Sequence, residues 1–291
     1  MSSSQRVAVQ GSKRSLTSGH TRVGDVDLKA DVDVTIYVRP RTPVDWVDAE
    51  SARAPMGRRI MARDDWADTH GATDQDLKAV SSFAHESGLT VTRVDAARRA
   101  VHLRGPLRAA VDAFGATMEG RFQAAGGMGQ YRARTGELTV PATLGDVVMG
   151  VFGIDDRPQA RPHLRRHAQP QAASSFTPDQ VAAAYAFPSG ATGKGQTVGI
   201  LELGGGFDTD DLTTYFQGLG MGAPSVNAVS VDGGQNSPGT DQNADGEVML
   251  DIEVVGAVAP GAAIAVYFAP NTDQGFIDAL STAVHDTTHK P

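Results

Sequence analysis

Residues 197–203 read TVGILEL, an apolar run interrupted only near its end, at Glu202, and followed by the glycines Gly204–Gly206. A run this short, with turn residues behind it, predicts a strand buried on both faces. A second run of the same kind, AAIAVYFA, occupies residues 262–269. Helical stretches flank both. TPDQVAAAYAF (177–187) leads in, with Thr177 placed to cap it and Pro178 in its first turn. DTDDLTTYFQGLG follows the glycines, an apolar helix spans 246–257, and DQGFIDALSTAVHD (273–286) follows the second run. Apolar strands alternating with helices predict a parallel sheet covered on both faces, an α/β unit. Ligands and catalytic groups gather at the carboxyl ends of such strands, and Glu202 stands at one.

The first half reads differently. Residues 31–38, DVDVTIYV, alternate polar and apolar, which puts Val32, Val34, Ile36 and Val38 on one face of a half-buried strand. A helix is expected over 73–88, capped by Thr73, with Leu77, Val80 and Ala84 on its apolar side and Gly88 as its stop. Two strands follow, LTVTRVD (89–95) and AVHLRG (100–105). Pro106 then opens a helix that buries Leu107, Val111, Phe114 and Met118. Further strands are expected near 119–123, 131–134 and 148–154. The order β-α-β-β-α-β is the split ferredoxin-like arrangement of an antiparallel α+β domain. Residues 39–72 form a long connection with room for a short helix.

Between the halves, residues 155–175 (DDRPQARPHLRRHAQPQAASS) are rich in Pro, Arg, Gln and Ser and nearly free of large apolar residues. This predicts an exposed linker and a natural place for proteolysis. The expected organisation is therefore a domain over 1–155, a linker over 156–175 and a second domain over 176–291. Charge follows the same division. Residues 1–170 carry 24 Lys and Arg against 20 Asp and Glu, whereas residues 171–291 carry 2 against 14, within a chain of net charge −8. A weakly basic half joined to a strongly acidic one predicts docking that low pH would loosen.

Composition excludes several classes. The chain has no cysteine, hence no disulfide, thiol nucleophile or thiolate metal site. It has no apolar run of about 18 residues, and its first residues, MSSSQRVAVQGSKRS, lack the apolar region of a secretory signal. The Arg residues of the linker are diluted by Pro and Gln, so neither nucleic acid nor membrane is expected as a partner. The glycine loop at 204–206 follows a strand, but it lacks G-x-G-x-x-G spacing and no GK[ST] occurs, so a tight turn is expected rather than a phosphate cradle. His285 and His289 stand four apart, which fits either a metal pair or cations favoured at a helix end. No cofactor-binding or metal-ligating residue is assigned.

One feature points to chemistry. Within ADGEVMLDIEVVGAVAPG (244–261), Glu247 and Asp251 lie at i and i+4 on one face of a helix whose other residues are mostly apolar. Desolvation and mutual repulsion disfavour ionising both. Either catalysis maintains the pair, or it forms a solvated stripe at an exposed edge.

Four stretches then stand together: FTPDQVAAAYAFP, GQTVGILELGGGFD, DGEVMLDIEVVGAVAPGA and IAVYFAPNTDQGFIDALSTAVHD. In these, residues 171–291 resemble the sedolisins, the serine-carboxyl peptidases, and the first 155 residues resemble that family's activation pro-domain. The resemblance implies a subtilisin-like fold, of which this chain holds the N-terminal portion, with a Ser-Glu-Asp triad. The family's Glu falls on Glu247 and its triad Asp on Asp251, and a further Glu after the first strand, extending the hydrogen-bond network, matches Glu202. The Gly-Thr-Ser motif that carries the family's nucleophile occurs nowhere in the chain, and its oxyanion Asp and calcium site have no match. This chain alone is therefore expected to be inactive, with a second chain or a longer polypeptide supplying the rest. The resemblance also implies secretion, calcium in full-length members, protein and peptide substrates, and a pro-domain that acts as chaperone and inhibitor of its own catalytic domain. Acid autoprocessing is expected within Arg161–Ser175. The rival reading is a non-catalytic pro-domain fragment that inhibits a mature peptidase in trans.

Overall fold

The computed structural model describes residues 5–54, 57–58, 61–127, 129–161, 176–188 and 190–291. It divides into two compact units, Met1–Pro158 and Gln159–Pro291. Of the expected processing segment, residues 162–175 lie outside the described residues.

The first unit runs β1 (Arg6–Ala8), β2 (Thr21–Gly24), β3 (Asp31–Val38), α1 (Val47–Ser51), α2 (Arg63–His70), α3 (Asp74–Glu86), β4 (Thr90–Asp95), β5 (Ala100–Pro106) and α4 (Leu107–Phe114). It continues with β6 (Thr117–Gln123), β7 (Gln130–Thr135), β8 (Thr139–Pro141) and β9 (Val148–Phe152). Its main sheet is antiparallel with order β4-β5-β3-β9, the ferredoxin-like order expected from the sequence. The fourth strand is β9, reached only after β6–β8. β6 and β7 instead build a separate three-stranded sheet with β2. Local patterning marks the strands without saying which strand each one pairs with, because pairing can join segments far apart in the chain.

The alternation in β3 works as expected. Val32, Val34, Ile36 and Val38 are buried and share one core with Leu77, Val80 and Ala84 of α3 and Leu107, Ala110 and Phe114 of α4. Thr73 caps α3 by accepting a hydrogen bond from Asp76 N at 3.1 Å. The helix opened by Pro106 is shorter than its apolar spacing predicts. It stops at Gly115, which takes the left-handed conformation (φ 61°), and Met118 belongs to β6. The long connection 39–72 holds two helices, α1 and α2, where one short helix was expected.

A second correction concerns Asp155, predicted to begin an exposed stretch. It is 3 % exposed. Arg157 donates to it through Nε at 2.9 Å and through Nη2 at 2.6 Å, and Arg134 N donates at 3.0 Å. Beside it, Arg132 N donates to Asp156 at 2.6 Å, and Arg132 Nη1 pairs with the same carboxylate at 2.8 Å. The two acids thus stand against β7, whose arginines lie more than 20 residues away in sequence. A local reading of DDRP cannot see that pairing.

The second unit runs α5 (Pro178–Ala184), β10 (Thr197–Glu202), α6 (Thr209–Gly218), β11 (Val226–Ser230), α7 (Gln242–Val258), β12 (Ala263–Phe268) and α8 (Asp273–Val284). Its sheet is parallel with order β10-β12-β11. The sequence reading foresaw β10 and β12 but not β11, whose residues VNAVS are only partly buried. Both faces are covered. Val198 and Ile200 pack with Leu212 and Phe216 of α6 and Val248 and Ile252 of α7. Leu201 and Leu203 pack on the opposite side with Ala279 and Ala283 of α8. Among the described residues no helix is long and apolar enough to cross a membrane.

Leu103 is fully buried in the first unit's core, and the only tryptophans, Trp46 and Trp66, also lie in that unit. Leu103→Ala is expected to cost about 2–5 kcal/mol in urea unfolding followed by tryptophan fluorescence. A loss below about 1 kcal/mol would contradict this packing.

Candidate active site

The site begins with the two-residue period of β10. Val198 and Ile200 face α7, so Glu202, two residues further, faces it too. Glu202 ends the strand opposite Phe268 of β12, and its carbonyl accepts a hydrogen bond from Ala269 N at 2.9 Å. Only 9 % of the residue is exposed.

The glycines that follow let the loop approach α7. A Cβ on Gly205 would lie 2.6 Å from the Ala244 carbonyl carbon, in the first turn of α7. One on Gly206 would lie 2.4 Å from Pro238 N. Gly205 also has φ 69°, which disfavours any other residue. Asn236 fastens the loop, accepting from Phe207 N at 2.8 Å and donating to Phe207 O at 3.1 Å. These glycines therefore serve close backbone packing, in line with the tight turn expected from their spacing.

α7 is capped by Asp241, whose Oδ1 accepts from Asn243 N at 2.9 Å and from Ala244 N at 3.3 Å. One turn on, Asp245 Oδ2 accepts from Gly239 N at 2.8 Å. Glu247 and Asp251 follow on the helix. The sequence predicts a helix packed on most sides, and here the structure differs. Val248, Ile252, Gly256 and Ala257 are buried, while Leu250, Asp251 and Val254 are exposed and Glu247 is half-exposed. The carboxylate pair belongs to an uncovered stripe at i, i+3, i+4 and i+7, shared with two large apolar residues. Hydrophobicity averaged along the helix hides this stripe, because Leu250 and Val254 resemble core residues.

Three carboxyl groups meet here electrostatically. Burial, then the charge of Asp251, then that of Glu247 push the Glu202 pKa up to about 8. Its Oε1 is buried and has no hydrogen-bond partner among the described residues. Asp251, although exposed as a residue, has a partly shielded carboxyl, and this shielding together with the Glu247 charge raises its pKa. Burial also raises Glu253, on the same helix. At neutral pH and below, Glu202 is therefore a neutral acid beside two groups able to carry charge. Such a set can hold, share and relay a proton.

Other sequence candidates lie elsewhere. His289 Nδ1 meets Asp286 Oδ2 at 2.7 Å, an oxygen that also accepts from Tyr267 OH at 2.7 Å. His285 Nδ1 meets Ser281 O at 2.9 Å, closing the end of α8. The two histidines thus have separate partners. Among the described residues no group of three His, Asp or Glu side chains is placed to hold a metal ion such as calcium. Sequence reading missed Asn271, just past β12, whose side chain binds backbone three times; an Asn before a helix reads as an ordinary turn residue.

The chain thus joins an antiparallel ferredoxin-like unit to a parallel α/β unit with carboxylates at its sheet edge. Residues 18–157 match the family described as Pro-kumamolisin, activation domain, and the chain is similar along its length to kumamolisin and, over most of it, to sedolisin. It is 43 % identical to kumamolisin of Bacillus sp. (strain MN-32) over 313 aligned positions, covering all of this chain and 56 % of that protein. It is 25 % identical to tripeptidyl-peptidase sed5 of Aspergillus fumigatus, covering 94 % of this chain and 52 % of that protein. Against sedolisin of Pseudomonas sp. (strain 101) the identity is 24 %, over 80 % of this chain and 41 % of that protein. The chain spans about half the length of these relatives.

The raised Glu202 pKa fixes the sign of a pH effect. Unfolded, the group ionises near 4.5; folded, near 8. Between those values the folded state binds more protons, so stability falls as pH rises, by at most about 1.4 kcal/mol per unit from this group. Glu202→Gln is expected to flatten that fall. Urea unfolding of the second unit at pH 4 should barely separate the two proteins, whereas at pH 7.5 the variant should be the more stable. Equal pH slopes would show that Glu202 is not held neutral.

Proposed function

We propose that this chain is precursor sequence of an acid-active serine-carboxyl endopeptidase, comprising its pro-domain and the start of its peptidase domain. The observation that carries the reading is the coupled set Glu202, Glu247 and Asp251 at the carboxyl end of a parallel strand. The homology to kumamolisin and sedolisin supports it.

In this reading Glu247 is the general base that takes the proton of a serine hydroxyl as it attacks the peptide carbonyl, then returns it to the leaving amine. Asp251, one turn along, orients Glu247. Glu202 stays protonated and supplies a hydrogen-bond donor to the pair. A histidine base would be protonated, and so unable to accept, well below its usual pKa of about 6.5. A carboxylate of pKa about 4–5 still accepts a proton in mild acid, which explains why acid chemistry favours Glu at this position. The nucleophile and the oxyanion group come from further polypeptide or from a second chain. Calcium, implied for the family, takes no part in these steps.

The first unit acts as chaperone and inhibitor of the peptidase domain and is removed in acid by a cut within Arg161–Ser175. Secretion and protein or peptide substrates complete the proposal. A second reading, inhibition of a mature peptidase in trans by the first unit, is supported by that unit having a core of its own.

Two experiments test the proposal in a precursor that carries this chain together with its nucleophile. Hydrolysis of an internally quenched peptide at pH 4 is expected to fall about 10³-fold or more in kcat for Glu247→Gln, with KM little changed. Wild-type turnover in that variant would refute the base assignment. On acid incubation, N-terminal sequencing should find a new start produced by cleavage within Arg161–Ser175 in the parent and none in Glu247→Gln. If the parent is inert but the chain inhibits an active sedolisin at pH 4–6, the second reading stands.

A further inference from the structure

Asn271 lies three residues past Phe268, the residue paired with Glu202 across β10 and β12. The residue after it, Thr272, caps α8 by accepting from Gly275 N at 2.9 Å, so Asn271 projects from a fixed corner between strand and helix. Its side-chain amide meets one short piece of main chain in the same unit. Oδ1 accepts from Gln159 N at 2.9 Å and from Ala160 N at 3.0 Å. Nδ2 donates to Ala160 O at 2.8 Å.

All three bonds go to backbone atoms. The Gln159 and Ala160 residues are exposed, and their side chains contribute nothing to these contacts. A neutral amide that offers one acceptor to two N–H groups and one donor to a carbonyl matches two consecutive residues of any peptide other than proline. The contact is sequence-blind, and because it is exposed, water and other peptides can compete for it. It stands at the same carboxyl edge of the sheet as the carboxylates.

We propose that Asn271 is a main-chain anchor for an extended peptide entering this edge, and that Gln159–Ala160 occupies the anchor in this chain as an internal competitor. In chemical terms the ligand is a polypeptide backbone of any composition that leaves two adjacent N–H groups free. Asn271 is a positioning residue: it holds peptide beside the carboxylates and does not touch reacting atoms. Its purpose rests on the peptidase reading, but the binding itself does not require turnover.

The test uses the 291-residue chain and the blocked peptide acetyl-tetraalanine amide, with binding followed by ligand-observed NMR. Replacing the competitor's donors, Gln159→Pro with Ala160→Pro, vacates the anchor and is expected to tighten peptide binding about ten-fold. Adding Asn271→Ala to that background should reverse the gain. The near-isosteric Asn271→Asp, which keeps the acceptors and loses the donor, should weaken binding by a smaller factor and serves where the alanine variant fails to fold. Unchanged affinity on vacating the segment, or in both Asn271 variants, would overturn the proposal. Because no hydrolysis is read, the two readings fail separately: a precursor carrying its nucleophile that stays inert at pH 4, while this chain still binds peptide through Asn271, would refute the peptidase reading alone.

Discussion

Like charges cannot crowd into a poorly hydrated space without one of them giving way, and this constraint organises the second unit. Glu202 is buried at the end of β10 and faces α7, which carries Glu247 and Asp251. Its proton is retained to about pH 8 first because burial disfavours the ionised form, and then because Asp251 and Glu247 repel a further negative charge. The glycines behind it are part of the same arrangement. Only residues without a Cβ let the loop lie against the first turn of α7, and so bring strand end and helix close enough for their charges to interact.

Burial and exposure are divided within single elements. α7 buries Val248 and Ile252 against the sheet and leaves Glu247, Leu250, Asp251 and Val254 on its outer stripe. An apolar–acidic stripe of this kind is costly to leave in water and costly to bury without hydrogen-bond partners, so its worth lies in what it can engage. In the first unit a comparable conflict is resolved by pairing. Asp155, almost wholly buried, is ringed by Arg157 and the backbone of Arg134, while Asp156 beside it is met by Arg132. Burial nevertheless raises the Asp156 pKa, so acid weakens its pair with Arg132.

Much of the fold could be read directly. Period-two alternation marked β3, continuous apolar runs marked β10 and β12, and the Thr73 signal marked the start of α3. These features are local: side-chain direction and capping depend on neighbours within a few residues. What escaped was non-local or weak. β11 has little apolar signal, β6 and β9 pair with β2 and β3, far away in the chain, and Asp155 is held against the remote backbone of β7.

The carboxylates Glu202, Glu247 and Asp251 were visible as residues because acids in apolar surroundings stand out in any sequence. That Glu202 shares a strand face with Val198 and Ile200 follows from strand periodicity once β10 is known. The coupling among the three, the uncovered stripe on α7 and the Asn271 contact with main chain were decided only in three dimensions. The physical reason is range. Propensity, periodicity and capping act over one or two turns of chain. Desolvation, charge repulsion and hydrogen bonds to remote backbone depend on which distant segments the fold brings within a few ångströms of one another.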